Sequence, residues 1–285
     1  MDIQDNQFSI TPFPKQVDFI TSPAMYTCMS GGFGSGKTIS GCIRGLLLST
    51  QPNNFGLIGR STYPELRDTT RRSFFEICPP DYYDPKQGGE WRVSENHLKL
   101  KNKSEIIFRH LDDISEKELL SLNLGWFFID QAEEIAERVF LILQSRLRLN
   151  TIPRRYGFIV CNHEPENWIY NKFKKPIMEN KKLEDYELIE SSTYDNPHLP
   201  PEYIPTLLAS YPEDMQKRYI HGEWSVFEGQ IFQEWREKIH IVRPFEIPKG
   251  WQRLVSIDHG MINPTCALFG AIDYDGNIWI YDEYY

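Results

Sequence analysis

The sequence predicts an α/β fold, a mostly parallel sheet flanked by helices and followed by a short antiparallel β-meander. Three observations carry that prediction. From about residue 25 to 165, strand-like and helix-like stretches alternate, the pattern that builds a parallel sheet through helical crossovers. Residues 31–38 read Gly-Gly-Phe-Gly-Ser-Gly-Lys-Thr, a complete G-x-x-x-x-G-K-T phosphate loop between an apolar-edged strand and a helix. Beyond residue 250 the alternation gives way to three β-rich runs.

Taken in order, residues 8–24 form an entry segment with Pro12, Pro14 and Gln16. Strand and helix then pair as 25–30 with 37–49, 55–60 with 63–77, 105–111 with 115–121, and 125–130 with 132–148, ending on a strand at 156–161. The stretch 81–104 interrupts them, and 88–93 and 98–100 within it read as short antiparallel strands. Residues 165–225 read as helical and loop-rich, with Pro197, Pro200, Pro201, Pro205 and Pro212. The predicted organisation is a core over 1–165, a helical subdomain over 166–225, a connector over 226–250 and a β-meander over 251–285. In the meander, Asp275-Gly276 is a strong hairpin signal between the second and third runs.

Hydrophobic residues make up 40% and charged residues 25% of the 285, as expected of a soluble globular protein. No apolar run approaches the roughly 18 residues of a membrane span, and the N-terminus lacks the basic start and apolar stretch of a secretory signal. Five cysteines at 28, 42, 78, 161 and 266 show no C-x-x-C pair, which fits reduced thiols in a cytoplasm. A net charge of −9 argues against a chain coated in nucleic acid but permits a local basic patch. Arg154-Arg155 and the run Lys172, Lys174, Lys175, Lys181 and Lys182 are the candidates, weighed against ordinary solvated surface.

The phosphate loop implies a bound nucleoside triphosphate. Gly31, Gly32, Gly34 and Gly36, with Phe33 and Ser35 between them, let backbone N–H groups wrap phosphates at a helix N-terminus. Lys37 would reach the β- and γ-phosphates, and the Thr38 hydroxyl would sit on Mg²⁺. Trp126-Phe127-Phe128-Ile129-Asp130 is a buried strand ending in a carboxylate, so Asp130 should complete the metal side. The next residue is Gln131, whose amide orients water but takes no proton. Glu133 is therefore the candidate base, with Glu134 behind it, against the alternative that both simply favour a helix N-terminus. Gly157-Phe158-Ile159-Val160 reads as another core strand, and Asn162 beyond its tip is a candidate γ-phosphate sensor. Gln16 could read an adenine edge through its amide.

These residues resemble the large terminase subunit of tailed bacteriophages, an ATP-driven DNA-packaging motor with an ASCE/RecA-like P-loop core. The resemblance runs through Gln16, the loop at 31–38, Gly59 to Arg67, Phe128 to Ile135, Ser145 to Arg148 and Asn162 to Tyr170. It continues in Thr193 to Pro200, Tyr219 to Trp224, and Glu228-Gly229 with Ile231-Phe232. It implies ATP and Mg²⁺ as cofactors, and double-stranded DNA, a portal protein and a small terminase subunit as partners. It also implies a homo-oligomeric ring on the prohead, or a monomer in isolation, at work in the host cytoplasm and not in a membrane.

In most relatives the residue after the Mg²⁺-binding acid is Glu, so Gln131 is a departure. Some relatives also carry a catalytic Arg near the position of Phe33. Phe33 cannot serve, so the resemblance directs attention to Arg146 first, then Arg148, Arg60 and Arg67, with a neighbouring subunit as the place of action. Val255 to Gly260 resembles the first strand of an RNase H-like nuclease, in which Asp258 would bind Mg²⁺ or Mn²⁺. The chain ends at Tyr285, so only the opening of such a domain is expected, with Asp282 and Glu283 as strand-end polar residues. Two rival readings remain at this point: a helicase-type ATPase, and an ATP-binding scaffold whose turnover Gln131 disables.

Overall fold

The computed structural model describes residues 11–112, 114, 116–164, 167–181, 183–224, 240–259 and 265–284. The chain divides into two compact units, Met1–Glu228 and Gly229–Tyr285.

The first unit is built on an eight-stranded sheet. Its strands are β1 (Tyr26–Gly31), β2 (Phe55–Arg60), β3 (Glu90–Arg92), β4 (His97–Lys99), β5 (Glu105–His110), β6 (Trp126–Ile129), β7 (Tyr156–Cys161) and β8 (Tyr186–Ser191). They lie in the order β3-β4-β5-β2-β6-β7-β1-β8. Every pairing from β5 to β8 is parallel, and β3 and β4 add an antiparallel edge. The tips of β1, β2, β6 and β7 therefore open on one edge, where ligands bind in such sheets. β7 sits between the phosphate-loop strand β1 and the Asp130 strand β6, which brings its tip between loop and carboxylate.

The period of two along β6 explains why the sheet holds helices on both faces. Phe127 and Ile129 join one buried cluster with Cys28, Leu57 and Phe140, while Trp126 and Phe128 join another with Phe19, Met29, Ile58 and Phe74. All four β6 side chains are fully buried, the signature of a strand covered on both sides. Helix α1 (Pro14–Thr21) and helix α2 (Lys37–Leu48) cover the second face, and helix α3 (Glu137–Arg146) covers the first. Gly41 of α2 lies directly on the Phe128 ring: a Cβ there would fall 2.1 Å from its Cζ. Gly45, one turn on, would bring its Cβ within 2.8 Å of Trp126. The helix backbone thus packs directly onto the aromatic rings of β6.

Two stretches differ from the sequence reading. Residues 165–225 are not wholly helix and loop, because β8 joins the main sheet beside β1. Tyr186 to Ser191 carries Glu at 187 and 190 because an edge strand is only half covered, and that polarity hides the strand signal. The helix expected over 63–77 is present as Tyr63–Glu65 and Arg71–Ile77, with a π-helical turn at Leu66–Thr70 between them. The connector at 226–250 falls mostly outside the described residues.

The second unit contains β9 (Gln252–Asp258), β10 (Cys266–Ile272) and β11 (Ile278–Tyr284) in an antiparallel sheet ordered β11-β10-β9. The Asp-Gly hairpin is present, with Gly276 at φ 87°. Asp273 closes the turn by accepting from the backbone N–H groups of Asp275 and Asn277, from the Asn277 amide and from the Trp279 indole.

Candidate nucleotide site

The phosphate loop leaves β1 at Gly31 and enters α2 at Lys37. Gly34 (φ 68°) and Gly36 (φ 71°) take left-handed conformations that only glycine adopts cheaply. Lys37 Nζ donates to the carbonyls of Gly31 and Gly32, 2.8 Å each, so the ammonium curls back over the loop it must serve. Burial lowers its pKa, opposed by the nearby Glu133, Cys161 and Asp130. An ammonium held in so dry a place favours an anionic ligand. The first N–H groups of α2 have no acceptor inside the helix, which completes a cradle for phosphate. Gln16 is buried against this loop. Its Nε2 donates to Gly36 O (3.2 Å) and its Oε1 accepts from Phe13 N (3.3 Å), so its amide here braces the loop's last turn.

On the metal side, Thr38 Oγ1 donates to Asp130 Oδ1 at 2.9 Å. The other carboxylate oxygen accepts from Thr70 Oγ1 (2.6 Å) and from Arg60 Nη1 (3.2 Å). Asp130 is fully buried, so three donors hold it in one orientation. The segment Gly59 to Arg67, marked by the family resemblance, explains itself here. β2 delivers Arg60 beside β6, and the π-helical turn brings Thr70 onto Asp130 and Thr69 onto Arg60 (2.9 Å). A hydroxyl and a carboxylate in contact are hard oxygen donors and suit Mg²⁺ with water filling its other positions.

The third part is carried by Glu133 and Asn162. Gln131 adopts a left-handed conformation (φ 51°, ψ 58°), which turns the chain sharply after Asp130. The short helical turn Ala132–Glu134 then sets Glu133 against the tip of β7. Glu133 Oε1 accepts from both the backbone N–H (3.1 Å) and the side-chain amide (2.6 Å) of Asn162. Its Oε2 is buried with no partner. Burial pushes the carboxyl up to about 7, and its own backbone N–H, Asn162 and Lys37 only partly offset that. Glu134 is exposed and takes no part in this contact. The neighbouring His163 is fully buried, neither ring nitrogen has a partner, and its ring meets Trp224 edge to face at 5.1 Å. Burial, with Lys37, Lys174 and Arg218 nearby, lowers its pKa to about 3.

The arginines divide clearly. Arg146 ends α3, and its carbonyl accepts from Leu124 N, just ahead of β6. The six residue steps from Leu124 to Asp130 span about 20 Å of extended chain, so Arg146 lies at the far edge of the sheet from its own loop. Arg148 is beside it, reaching Leu122 O, and Arg67 is exposed on Asp68. Arg60 alone of the four reaches the site, through Asp130. Sequence reasoning passes over Arg218, whose Nη2 bonds Glu164 Oε1 at 2.6 Å and whose guanidinium lies over Tyr219 (4.9 Å). Tyr219 in turn stacks on Phe33 (4.5 Å, 8°), and its carbonyl accepts from the Phe33 N–H at 2.7 Å. Thr193 and Asn196 donate to the carbonyls of Phe33 and Gly34. The loop is thus tied to residues 193–219, a contact no local pattern announces.

Elsewhere the expectations meet plainer surroundings. Lys172, Lys174 and Lys181 are paired with Glu137, Glu190 and Glu179, and Arg155 donates to Leu149 O. Lys182 lies outside the described residues. Asp258 ends β9, exposed, opposite Cys266. Among the described residues, no group of three or more His, Cys, Asp or Glu side chains is arranged to hold a metal. No helix among them is long and apolar enough to cross a membrane.

Comparison with known proteins gives consistent results. The family described as terminase large subunit, T4likevirus-type, N-terminal, matches residues 28–239. The PBSX phage terminase large subunit of Bacillus subtilis (strain 168) is 24% identical over 221 residues, which is 70% of this chain and 49% of that protein. The chain therefore spans about half the length of this curated relative. The large terminase from a thermophilic bacteriophage superposes with a TM-score of 0.63 at 20% identity, over 96% of this chain and 68% of that one. The same protein in complex with ATP-gamma-S gives 0.58 at 20% identity, over 95% and 68%. The large terminase ATPase domain of Thermus phage P74-26 gives 0.59 at 16% identity, over 75% and 94%. At these identities the structures establish a shared fold.

Proposed function

This chain belongs to the terminase large-subunit family of the T4likevirus type, and from that premise we propose that it is an ATPase driving double-stranded viral DNA into a prohead. The observation that carries the reading is the pairing of Lys37 in its phosphate cradle with a half-satisfied, proton-avid Glu133 across the same cleft. ATP is the substrate. Its phosphates lie on the loop 31–38, with Lys37 on the β- and γ-phosphates. Thr38 and Asp130 would hold Mg²⁺, which would neutralise phosphate charge.

Glu133 Oε2 takes the proton of the attacking water, and Asn162, bonded to the same carboxylate, registers loss of the γ-phosphate. Residues 193–224 carry that change onward through Phe33. Gln131 does not disable this chemistry, because a different acid faces the cleft; this favours a motor over an ATP-holding scaffold. Arg146, at the far edge of the sheet, would serve a neighbouring subunit. A ring of subunits, with the portal and small terminase as partners, is part of the same proposal. DNA contacts would be mainly to phosphates, hence indifferent to sequence and strongly salt-dependent. We assign DNA cleavage to the complete large subunit, with Asp258 as one metal ligand.

The test is single-turnover ATP hydrolysis across a wide range of protein concentration. Specific activity that rises with concentration supports a site completed between subunits. Tight ATP binding without hydrolysis at any concentration overturns the assignment of Glu133 as a sufficient base.

A further inference from the structure

Phe33 leaves the loop with Lys37 but no arginine to meet the charge on a γ-phosphate, and Arg146 is an entire strand length from its own loop. Arg218 is an arginine of the same chain that lies near this region. Arg218 bonds Glu164, two residues beyond Asn162, on one side, and lies over Tyr219, which stacks on Phe33, on the other. The γ-phosphate of a bound triphosphate would lie between those two sides, bounded by the loop, Glu133 and Asn162.

At least four side chains in this region have buried polar atoms without partners: Glu133 at Oε2, His163 at both ring nitrogens, Trp224 at Nε1 and Arg218 at Nε. Buried polar atoms in folded proteins are paired nearly always, so a cluster of orphans marks a place for a ligand. Arg218 Nε is a donor among these groups, and His163 is kept neutral chiefly by burial, with Lys37, Lys174 and Arg218 adding to it.

We propose that Arg218 is the chain's own γ-phosphate arginine, acting beside Lys37 and parked on Glu164 when no triphosphate is bound. This inference rests on the ATPase reading above. Parking is cheap to undo. The Glu164 side chain is 42% exposed, so water can solvate its carboxylate once the guanidinium leaves. A triphosphate offers the same guanidinium several anionic oxygens and a bidentate geometry. The exchange moves Arg218, and with it Tyr219 and the stretch tied to Phe33, so occupancy of the γ-position reaches residues 193–224 through one side chain.

The experiment compares affinities for ATP-gamma-S and for ADP in the wild-type chain, Arg218→Ala, Arg218→Lys and Glu164→Gln, with ATP turnover measured alongside. Arg218→Ala should lower the preference for ATP-gamma-S over ADP at least tenfold while leaving ADP affinity within about threefold, and Arg218→Lys should recover part of it. Glu164→Gln should strengthen that preference, because it frees the guanidinium. If Arg218→Ala and Glu164→Gln both weaken it in step with lost thermal stability, the pair is only a structural ion pair and the proposal fails. An unchanged preference in Arg218→Ala also overturns it.

Turnover then separates a cation acting within its own subunit from one acting in a neighbour. Mixing Arg218→Ala with Lys37→Ala chains should restore nothing, since each chain lacks a part of its own site; restored activity would assign Arg218 to the neighbouring site and overturn the proposal. A wild-type chain that binds neither nucleotide would refute the ATPase reading itself, a result distinct from each of these.

Discussion

Replacing Glu133 with Gln should abolish turnover and, above neutral pH, make the protein more stable. The folded carboxyl has its pKa raised to about 7 from 4.5, chiefly by burial. The folded state therefore keeps this proton through a pH window in which the unfolded chain gives it up. Stability from this group is complete below pH 4.5 and is lost as the pH rises through 7. A difference of about 2.5 units at 1.36 kcal/mol per unit makes ionising Glu133 cost about 3 kcal/mol by pH 8. Gln keeps the carbonyl oxygen that accepts from Asn162 and has no charge to bury. Urea denaturation at pH 8 should show Glu133→Gln about 2–3 kcal/mol more stable than wild type, and the gap should close below about pH 5. Single-turnover hydrolysis should fall about 10²–10⁴-fold. In the wild type the rate should drop severalfold, at most about tenfold, between about pH 7 and pH 6, as the base becomes protonated. A Glu133→Gln protein that keeps the wild-type rate and acid limb, or that loses stability at pH 8, would refute the reasoning.

Three further outcomes follow from the packing. Asp130→Asn should stop turnover and cost about 1.5–3 kcal/mol in urea, because it removes the closer of the two carboxylates beside the buried Arg60 guanidinium and leaves only Glu65 at 3.8 Å; adding Arg60→Gln should restore most stability and no activity. Gly41→Ala drives a methyl into the Phe128 ring and should cost about 1–3 kcal/mol in the same assay, with a larger loss if α2 cannot shift. His163, held near 3 by burial and neighbouring cations, should show no imidazole titration by NMR between about pH 5 and 8. Since the unfolded chain takes up that proton below about 6.5, this residue should lower stability as the pH falls through that value.

Much of the site is legible in the sequence because its chemistry is local. The glycines of 31–38 and the apolar run ending at Asp130 each state their role within a single short stretch, and the structure brings Thr38 and Asp130 into contact. What stays hidden depends on strand order. Nothing near Arg60 says that β2 lies beside β6, nor that a π-helical turn aims Thr70 at Asp130. β8 escapes notice because an edge strand keeps its charged residues, so the alternation that marks a half-buried strand is blurred. The tie from Phe33 to Tyr219 joins positions far apart in sequence, and only the folded chain shows that an aromatic there has a partner. The motif that points to Arg146 records a position along the chain without recording the edge of the sheet it occupies.

The sharpest departure in the sequence, Gln131, is explained by the backbone. A non-glycine residue in the left-handed region costs on the order of 1–2 kcal/mol and persists where surrounding structure demands it. Here the demand is a tight reversal after Asp130. Continued extension of β6 would carry the following residues past the cleft. The left-handed turn instead folds them back, and Glu133 is the side chain that lands on Asn162. Two carboxylates three positions apart then meet opposite surroundings. Asp130 is surrounded by a guanidinium and two hydroxyls, which suits a fixed metal ligand. Glu133 has one oxygen bound and one buried without a partner, which suits a group that must accept a proton and release it. The conformation of residue 131 is what the structure makes plain, because it decides which acid lands on Asn162 at the tip of β7.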